Sequence, residues 1–167
     1  RVKIRRCLEI DPNIKIIGIA RDGIDAIEKT IALKPDVITM DINMPKMSGI
    51  AAVEHIMEKC PTPIIMVSSY TQHGAKETIE ALNKGAIDYI NKDELSSHLL
   101  LEKIYLAKDA IFKLLPSKVE DHEAPKNIEK SFSIVGIGIS TGGPRALSHF
   151  MPRISPDINA GILIAQH

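Results

Sequence analysis

Asp36-Val37-Ile38-Thr39-Met40-Asp41-Ile42-Asn43-Met44-Pro45-Lys46-Met47-Ser48-Gly49 is the stretch that decides the fold. Its apolar run reads as a strand, and near-continuous apolar strands belong to parallel sheets covered on both faces. The run ends on a carboxylate, and a Pro and a Gly follow within the next eight residues. In open α/β sheets chemistry gathers outside the carboxyl ends of the strands. Asp41 therefore falls where such a sheet would place a reactive group, with its loop stiffened at Pro45 and released at Gly49. Asp is also common in turns, so a plain loop cap remains open at this point.

Bulk composition narrows the class. Hydrophobic residues make up 44% of the 167 and charged residues 25%, as in ordinary soluble domains. Lys and Arg balance Asp and Glu for a formal charge of zero. No electrostatic case exists for nucleic acid or an anionic membrane. Aromatics at 4% argue against a base-stacking surface. Cys7 and Cys60 each fall in a helical pattern and read as small core hydrophobes rather than a disulfide framework. No signal peptide or long apolar span is present, so a cytoplasmic location without membrane insertion is expected. The chain opens without Met inside an amphipathic pattern and stops just after a strand-like run. That reads as a fragment cut at both ends.

Working outward, strand and helix patterns alternate. Strands are expected at 14–20, 37–40, 64–67 and 86–90. Helices are expected at 22–33, at 48–59 with Ser48 as N-cap, at 74–83 with Gly85 as C-cap, and at 94–115. Such alternation implies a doubly wound parallel sheet with helices on both faces. Residues 116–130, polar and charged with two prolines, read as a linker. A second α/β parallel sheet then begins, with strands at 133–139 and 158–165 around a helix opened by Gly142, Gly143 and Pro144.

Other strand ends join Asp41. The strand through Val67 ends in Ser68 and Ser69, and the strand through Ile90 ends in Asn91 and Lys92. In a parallel sheet these ends share one edge, which offers a carboxylate, a hydroxyl and an ammonium. A carboxylate can act as a nucleophile and form an acyl phosphate. The product's anionic oxygens call for a cation and hydrogen-bond donors. Lys92 can supply the charge and Ser68 the hydroxyl, and Mg²⁺ suits a site of few carboxylates plus phosphate oxygens. Singly, Ser68 could be a cap, Lys92 a solvated charge and Tyr89 plain core. Their combination at successive strand ends is the specific signal.

On Asp36, Val37, Asp41, Asn43, Pro45, Gly49, Ser68 and the run Gly85-Ala86-Ile87-Asp88-Tyr89-Ile90-Asn91-Lys92, residues 1–110 resemble the receiver domain of two-component response regulators, a flavodoxin-like fold. The resemblance implies that Asp41 is the phospho-acceptor, Ser68 the switching hydroxyl, Lys92 the phosphate-pairing lysine and Tyr89 the aromatic that follows Ser68. It also implies a Mg²⁺ held by Asp41 and the backbone of Asn43. The family's first strand and its acidic, metal-ligating pair have no counterpart here, so metal binding and phosphorylation should be weak. Asp93 stands where many receivers have Pro.

The run Ile134-Val135-Gly136-Ile137-Gly138-Ile139-Ser140-Thr141-Gly142-Gly143-Pro144 reads as strand, glycine-rich turn and helix. Pro144 suits a first helical position. A Ser on such a turn is exposed beside a helix N-terminus that favours negative charge. Thr141, Gly142 and Gly143 are candidate turn and oxyanion-hole residues. A strand at 158–165 leads to Gln166 and His167, and a His at the end of a neighbouring parallel strand could serve Ser140 as base. Glycine-rich strand–turn–helix units also bind nucleotides, and Gly136-x-Gly138-x-x-x-Gly142 departs by one residue from the dinucleotide fingerprint.

With a receiver and a linker (111–132) ahead of it, the segment 133–167 resembles the opening of the catalytic domain of chemotaxis protein-glutamate methylesterases, the CheB family. The match rests on Gly138-Ile139-Ser140-Thr141-Gly142-Gly143 and Ile164-Ala165-Gln166-His167. The resemblance implies a serine nucleophile at Ser140 and its base at His167, with a third member, an Asp, further downstream. It implies a phosphorylation-activated esterase and glutamine deamidase acting on chemoreceptors. A histidine kinase would be the phosphodonor and methylated receptor helices the substrate, with a monomeric state and no cofactor for the ester chemistry. Residues 1–167 alone should be inactive. Two alternatives stand: a receiver fused to a non-hydrolytic nucleotide-binding domain, and a receiver acting only as a phosphate sink.

Overall fold

Every residue of Ile64–Ser68 is buried, so this strand can only lie in the middle of a sheet covered on both faces. In the computed structural model, which describes residues 2–69, 72–109, 134–140, 142–158 and 160–166, it does. Strand β1 (Ile38–Asp41) and strand β3 (Asp88–Asn91) flank β2 (Ile64–Ser68) in the order β1-β2-β3. Both pairings are parallel.

Strand alternation divides the core in two. Met40, Ile64 and Met66 face one layer. They pack with Ala26 of helix α2 (Gly23–Leu33), with Ile50, Ala52, Val53 and Ile56 of α3 (Gly49–Lys59), and with Ala81 and Leu82 of α4 (Gln72–Lys84). Ile65 and Ile90 face the other layer, against Cys7 and Leu8 of α1 (Val2–Leu8) and Leu100 and Ala107 of α5 (Ser97–Asp109). Burying each large apolar side chain contributes roughly 1.5–3 kcal/mol, an upper value given residual burial in the unfolded chain. The doubly wound arrangement expected from the alternation is thus the one observed.

Local chemistry sets the helix ends. Asp22 caps α2 by accepting from the amide of Asp25, and Ser48 caps α3 by accepting from Ala51. Gly85, at φ 123°, turns the chain out of α4, and Ala86 N–H closes the turn on Ala81 C=O at 3.0 Å. The helix expected from residue 94 begins instead at Ser97. Glu94 N–H is held by Asn91 C=O in a turn, and Ser96 Oγ accepts from Leu99 N–H, which starts the helix three residues later. Residues 110–115, where the expectation extended this helix, and the linker at 116–130 lie outside the described residues.

One strand expectation is overturned. Residues 14–20 join no ladder among the described residues. Apolar alternation makes a segment fit for a sheet, but a strand exists only when a neighbour takes its backbone groups. An open cleft of about 370 Å³ runs along residues 14–19, and Lys29 Nζ reaches Ile19 C=O at 2.7 Å. The cysteine reading holds only in part. Both thiols are free; Cys7 is buried, while Cys60 is half-buried at the C-cap of α3.

A second parallel pair, β4 (Ile134–Ile139) and β5 (Gly161–Gln166), lies beyond the linker. Between them α6 (Gly143–Phe150) continues into a 3-10 turn, Met151–Arg153. Helix α6 packs against α4 and β3 of the first sheet.

Candidate functional site: an acidic strand end and a serine turn

Asp41, Ser68 and Asn91 are the last residues of β1, β2 and β3. The register sets Asp41 opposite Val67 and Ser68 opposite Asn91, so all three strand ends share one edge. Lys92 leaves β3 at this edge. Its Nζ donates to both carboxylate oxygens of Asp41 at 2.8 Å, and its backbone N–H donates to Ser68 C=O at 2.7 Å. Asp41 and Lys92 are each a little over a third exposed, so solvent and a small phosphoryl donor can reach them.

The loop after Asp41 is wrapped tightly. Asn43 N–H donates to Asp41 Oδ1 at 3.2 Å, and Gly49 N–H returns to Ile42 C=O at 2.8 Å. A Cβ on Gly49 would fall 1.9 Å from Asp41 C=O, so only glycine allows α3 to start this close to the strand end. Lys46 anchors the loop to α2, its Nζ 2.9 Å from Asp22 Oδ2. The amide of Asp25, and then Lys46, hold the Asp22 carboxyl below its ordinary range.

Tyr89 stands opposite Met66 on β3 and is partly exposed, not core. Asp93, the departure from the usual Pro, donates its backbone N–H to Asn91 Oδ1 at 3.0 Å; proline has no such hydrogen to give. Among the described residues no group of three or more His, Cys, Asp or Glu is gathered for a metal. Asp41 and the Asn43 backbone do not make a Mg²⁺ site on their own, since the ion takes near-octahedral oxygen coordination.

Two pairings not singled out in the sequence hold the strands, one at this edge and one at the far end of β3. Thr78 of α4 donates its hydroxyl to Ser68 Oγ at 3.1 Å, both groups buried. Lys103 of α5 pairs with the buried Asp88 at 2.7 Å and fastens β3 to the helix beside it. Thr78 and Lys103 lie 10 and 15 residues from their partners, and no local motif announces either pairing. For Lys46 a faint signal exists, a cation in the loop whose partner caps the preceding helix.

At the other site, Ser140 directly follows β4 and is exposed. Gly143 N–H donates to Ser140 C=O at 2.7 Å. In this conformation that amide shapes the turn, one of the two roles expected of Gly143. Gly142 adopts φ 83°, a region that favours glycine. A Cβ on Gly143 would meet the Ile139 side chain at 2.6 Å. Gly143 opens α6, so Pro144 follows the first helical position instead of filling it. The parallel register ends with Ile139 opposite Gln166, one residue before Ser140. Thr141 and His167 lie outside the described residues.

The model of the response regulator receiver domain matches residues 1–104. The chain belongs to the response regulator receiver family. A second model, of the CheB methylesterase, matches residues 135–167. Among solved receivers, the response regulator domain of Thermotoga maritima CheB is 48% identical with a TM-score of 0.59, covering 65% of this chain and 87% of that one. The signal receiver domain of NarL from Mycobacterium tuberculosis is 26% identical with a TM-score of 0.57, covering 64% and 85%. Curated relatives match the whole chain. A protein-glutamate methylesterase/protein-glutamine glutaminase of Geobacter sulfurreducens is 43% identical, covering 100% of this chain and 52% of its own length. The counterpart from Thermotoga maritima is 45% identical, with 100% and 51% covered. The chain thus spans about half the length of the curated relatives it matches. Among the described residues, no helix of this receiver is long and apolar enough to cross a membrane.

Proposed function

We propose that these residues belong to a phosphorylation-regulated protein-glutamate methylesterase and glutamine deamidase acting on chemoreceptors in the cytoplasm. The observation that carries this reading is the packing of α6, the helix that starts three residues after Ser140, on α4 and β3 of the receiver. A change at the Asp41 edge then has a direct route to the serine turn. Relatives named as methylesterase/glutaminase along the full length of the chain support it.

In the receiver, a carboxylate oxygen of Asp41 attacks the phosphorus of a phosphohistidine on a histidine kinase, and the imidazole leaves. Lys92, already paired with Asp41, stays with the new anion. Mg²⁺ would offset the added charge there, with Asp41 and the Asn43 backbone among its holders and further donors needed. Ser68 and Tyr89 respond to the phosphate and loosen the packing over the catalytic face.

In the catalytic segment, Ser140 Oγ attacks the ester carbonyl of a methylated receptor glutamate. His167 takes the hydroxyl proton and returns it to the departing methanol. Water then cleaves the acyl-enzyme by the same proton path. With a receptor glutamine as substrate the leaving group is ammonia. Thr141, Gly142 and Gly143 are assigned to the turn and the oxyanion. The domain limits that go with this reading are 1–110, 111–132 and 133–167, in a protein that acts as a monomer.

The test is methanol release from methylated receptors by the full-length protein carrying these residues. Ser140→Ala should abolish it, and phosphodonor should raise it in the unaltered protein but not in Asp41→Asn. Unchanged release by Ser140→Ala would refute the nucleophile and favour a non-hydrolytic output domain.

A further inference from the structure

We infer that Thr78 is a latch on the receiver: it holds the Ser68 hydroxyl toward α4 and thereby restrains both phosphorylation of Asp41 and the α4–α6 contact. The inference rests on the phospho-acceptor reading of Asp41. Ser68 joins two elements. Its carbonyl accepts from the Lys92 amide at 2.7 Å, while its Oγ accepts from Thr78 Oγ1 at 3.1 Å. The first bond ties it to the cation on Asp41, and the second ties it to a helix.

Ser68 and Thr78 are both buried, so their hydroxyls need partners inside the protein. A serine Oγ occupies one staggered position at a time. Turning it toward a phosphoryl group on Asp41, one strand away, takes it out of reach of Thr78. Thr78 donates to the Ser68 oxygen and the phosphoryl oxygens would accept from its hydroxyl, so the two compete for the position of that oxygen and not for one hydrogen. Thr78 stands on the inward face of α4, one turn before the buried Ala81 and Leu82. Helix α4 also bears on β2 and on α6. Release of Thr78 is felt along α4 at the helix that follows Ser140.

Val matches Thr in shape and lacks the hydroxyl, whereas Ser keeps the hydroxyl, so the two substitutions separate packing from hydrogen bonding. Phosphoramidate labelling of Asp41 should be about fivefold faster in Thr78→Val, the factor expected for one ordinary net hydrogen bond. Labelling in Thr78→Ser should stay at the unaltered rate. The acceleration should vanish in a Ser68→Ala background, a dependence that a general loosening would not show. Slower or unchanged labelling in Thr78→Val, or acceleration that persists without Ser68, overturns the latch. Amide exchange provides a second arm on residues 1–167. Residues 79–84 should exchange about fivefold faster in Thr78→Val while α3 is unchanged; equal exchange in α4 also overturns it. If no variant takes up phosphate, the phospho-acceptor reading fails, and the exchange arm still decides whether Thr78 restrains α4.

Discussion

Lys92 Nζ lies 2.8 Å from both carboxylate oxygens of Asp41, across 51 residues of sequence. Two strand ends are brought together by this pair, and it gives the carboxylate a cation at the sheet edge. Because both side chains are over a third exposed, the pair adds little to stability, about 0–1 kcal/mol. Its value lies in charge placement. Lys92→Met should leave the urea midpoint of residues 1–167 nearly unchanged while sharply reducing labelling by acetyl phosphate, as read by phosphate-sensitive gel mobility. A large fall in the midpoint would show that the pair is chiefly structural.

Labelling of residues 1–167 by acetyl phosphate should itself be weak, since Asp41 and Asn43 do not complete a Mg²⁺ site. What label there is should disappear in Asp41→Asn. Strong labelling that survives this substitution would move the acceptor to another residue.

Gly49→Ala should cost about 3 kcal/mol or more, because its Cβ would fall 1.9 Å from the Asp41 carbonyl oxygen and the backbone must shift. Urea denaturation followed by circular dichroism reads this. A cost below about 1 kcal/mol, the scale of a tolerated swap, would mean that the loop is slack.

Lys103→Met should destabilise by about 3–5 kcal/mol at neutral pH, because it leaves the Asp88 carboxylate buried without its cation. Adding Asp88→Asn should recover much of the loss. Equal stability of the single and double variants would show that Asp88 is satisfied without Lys103.

Asp22 and Asp25 are held below the ordinary carboxylate range, Asp22 chiefly by the Asp25 amide and then Lys46, Asp25 chiefly by Lys29 and then the Arg21 amide. Their ionised forms favour the folded state. That contribution is complete above the unfolded-state values and fades as pH falls through the lower folded-state ones. Asp22→Asn keeps a capping oxygen and removes the charge, so its stability should fall less steeply than that of the unaltered chain between about pH 5 and pH 2. Parallel urea midpoints across that range would remove Asp22 from the acid response.

Much of the site was legible in the residues. Asp41, Ser68 and Lys92 each close an apolar run, and a parallel sheet gathers such ends at one edge whatever the details of packing. The glycines around Ser140 announced a sharp turn at a helix start, and Gly142 adopts the backbone that only glycine takes easily. The segment 14–20 misled because side-chain alternation records which face is apolar, not whether a neighbouring backbone is there to pair.

The sequence alone determined which groups stand at the strand ends, since strand period and loop punctuation are local properties. Tertiary structure alone decided which of them are held together. Thr78 reaches Ser68, Lys103 reaches Asp88 and α6 reaches α4 only because whole helices pack on the faces of the sheet and on one another. A contact between residues distant along the chain depends on the packing of whole elements, which no local pattern records. At Asp41 the sequence supplied the carboxylate, and packing placed Lys92 on it.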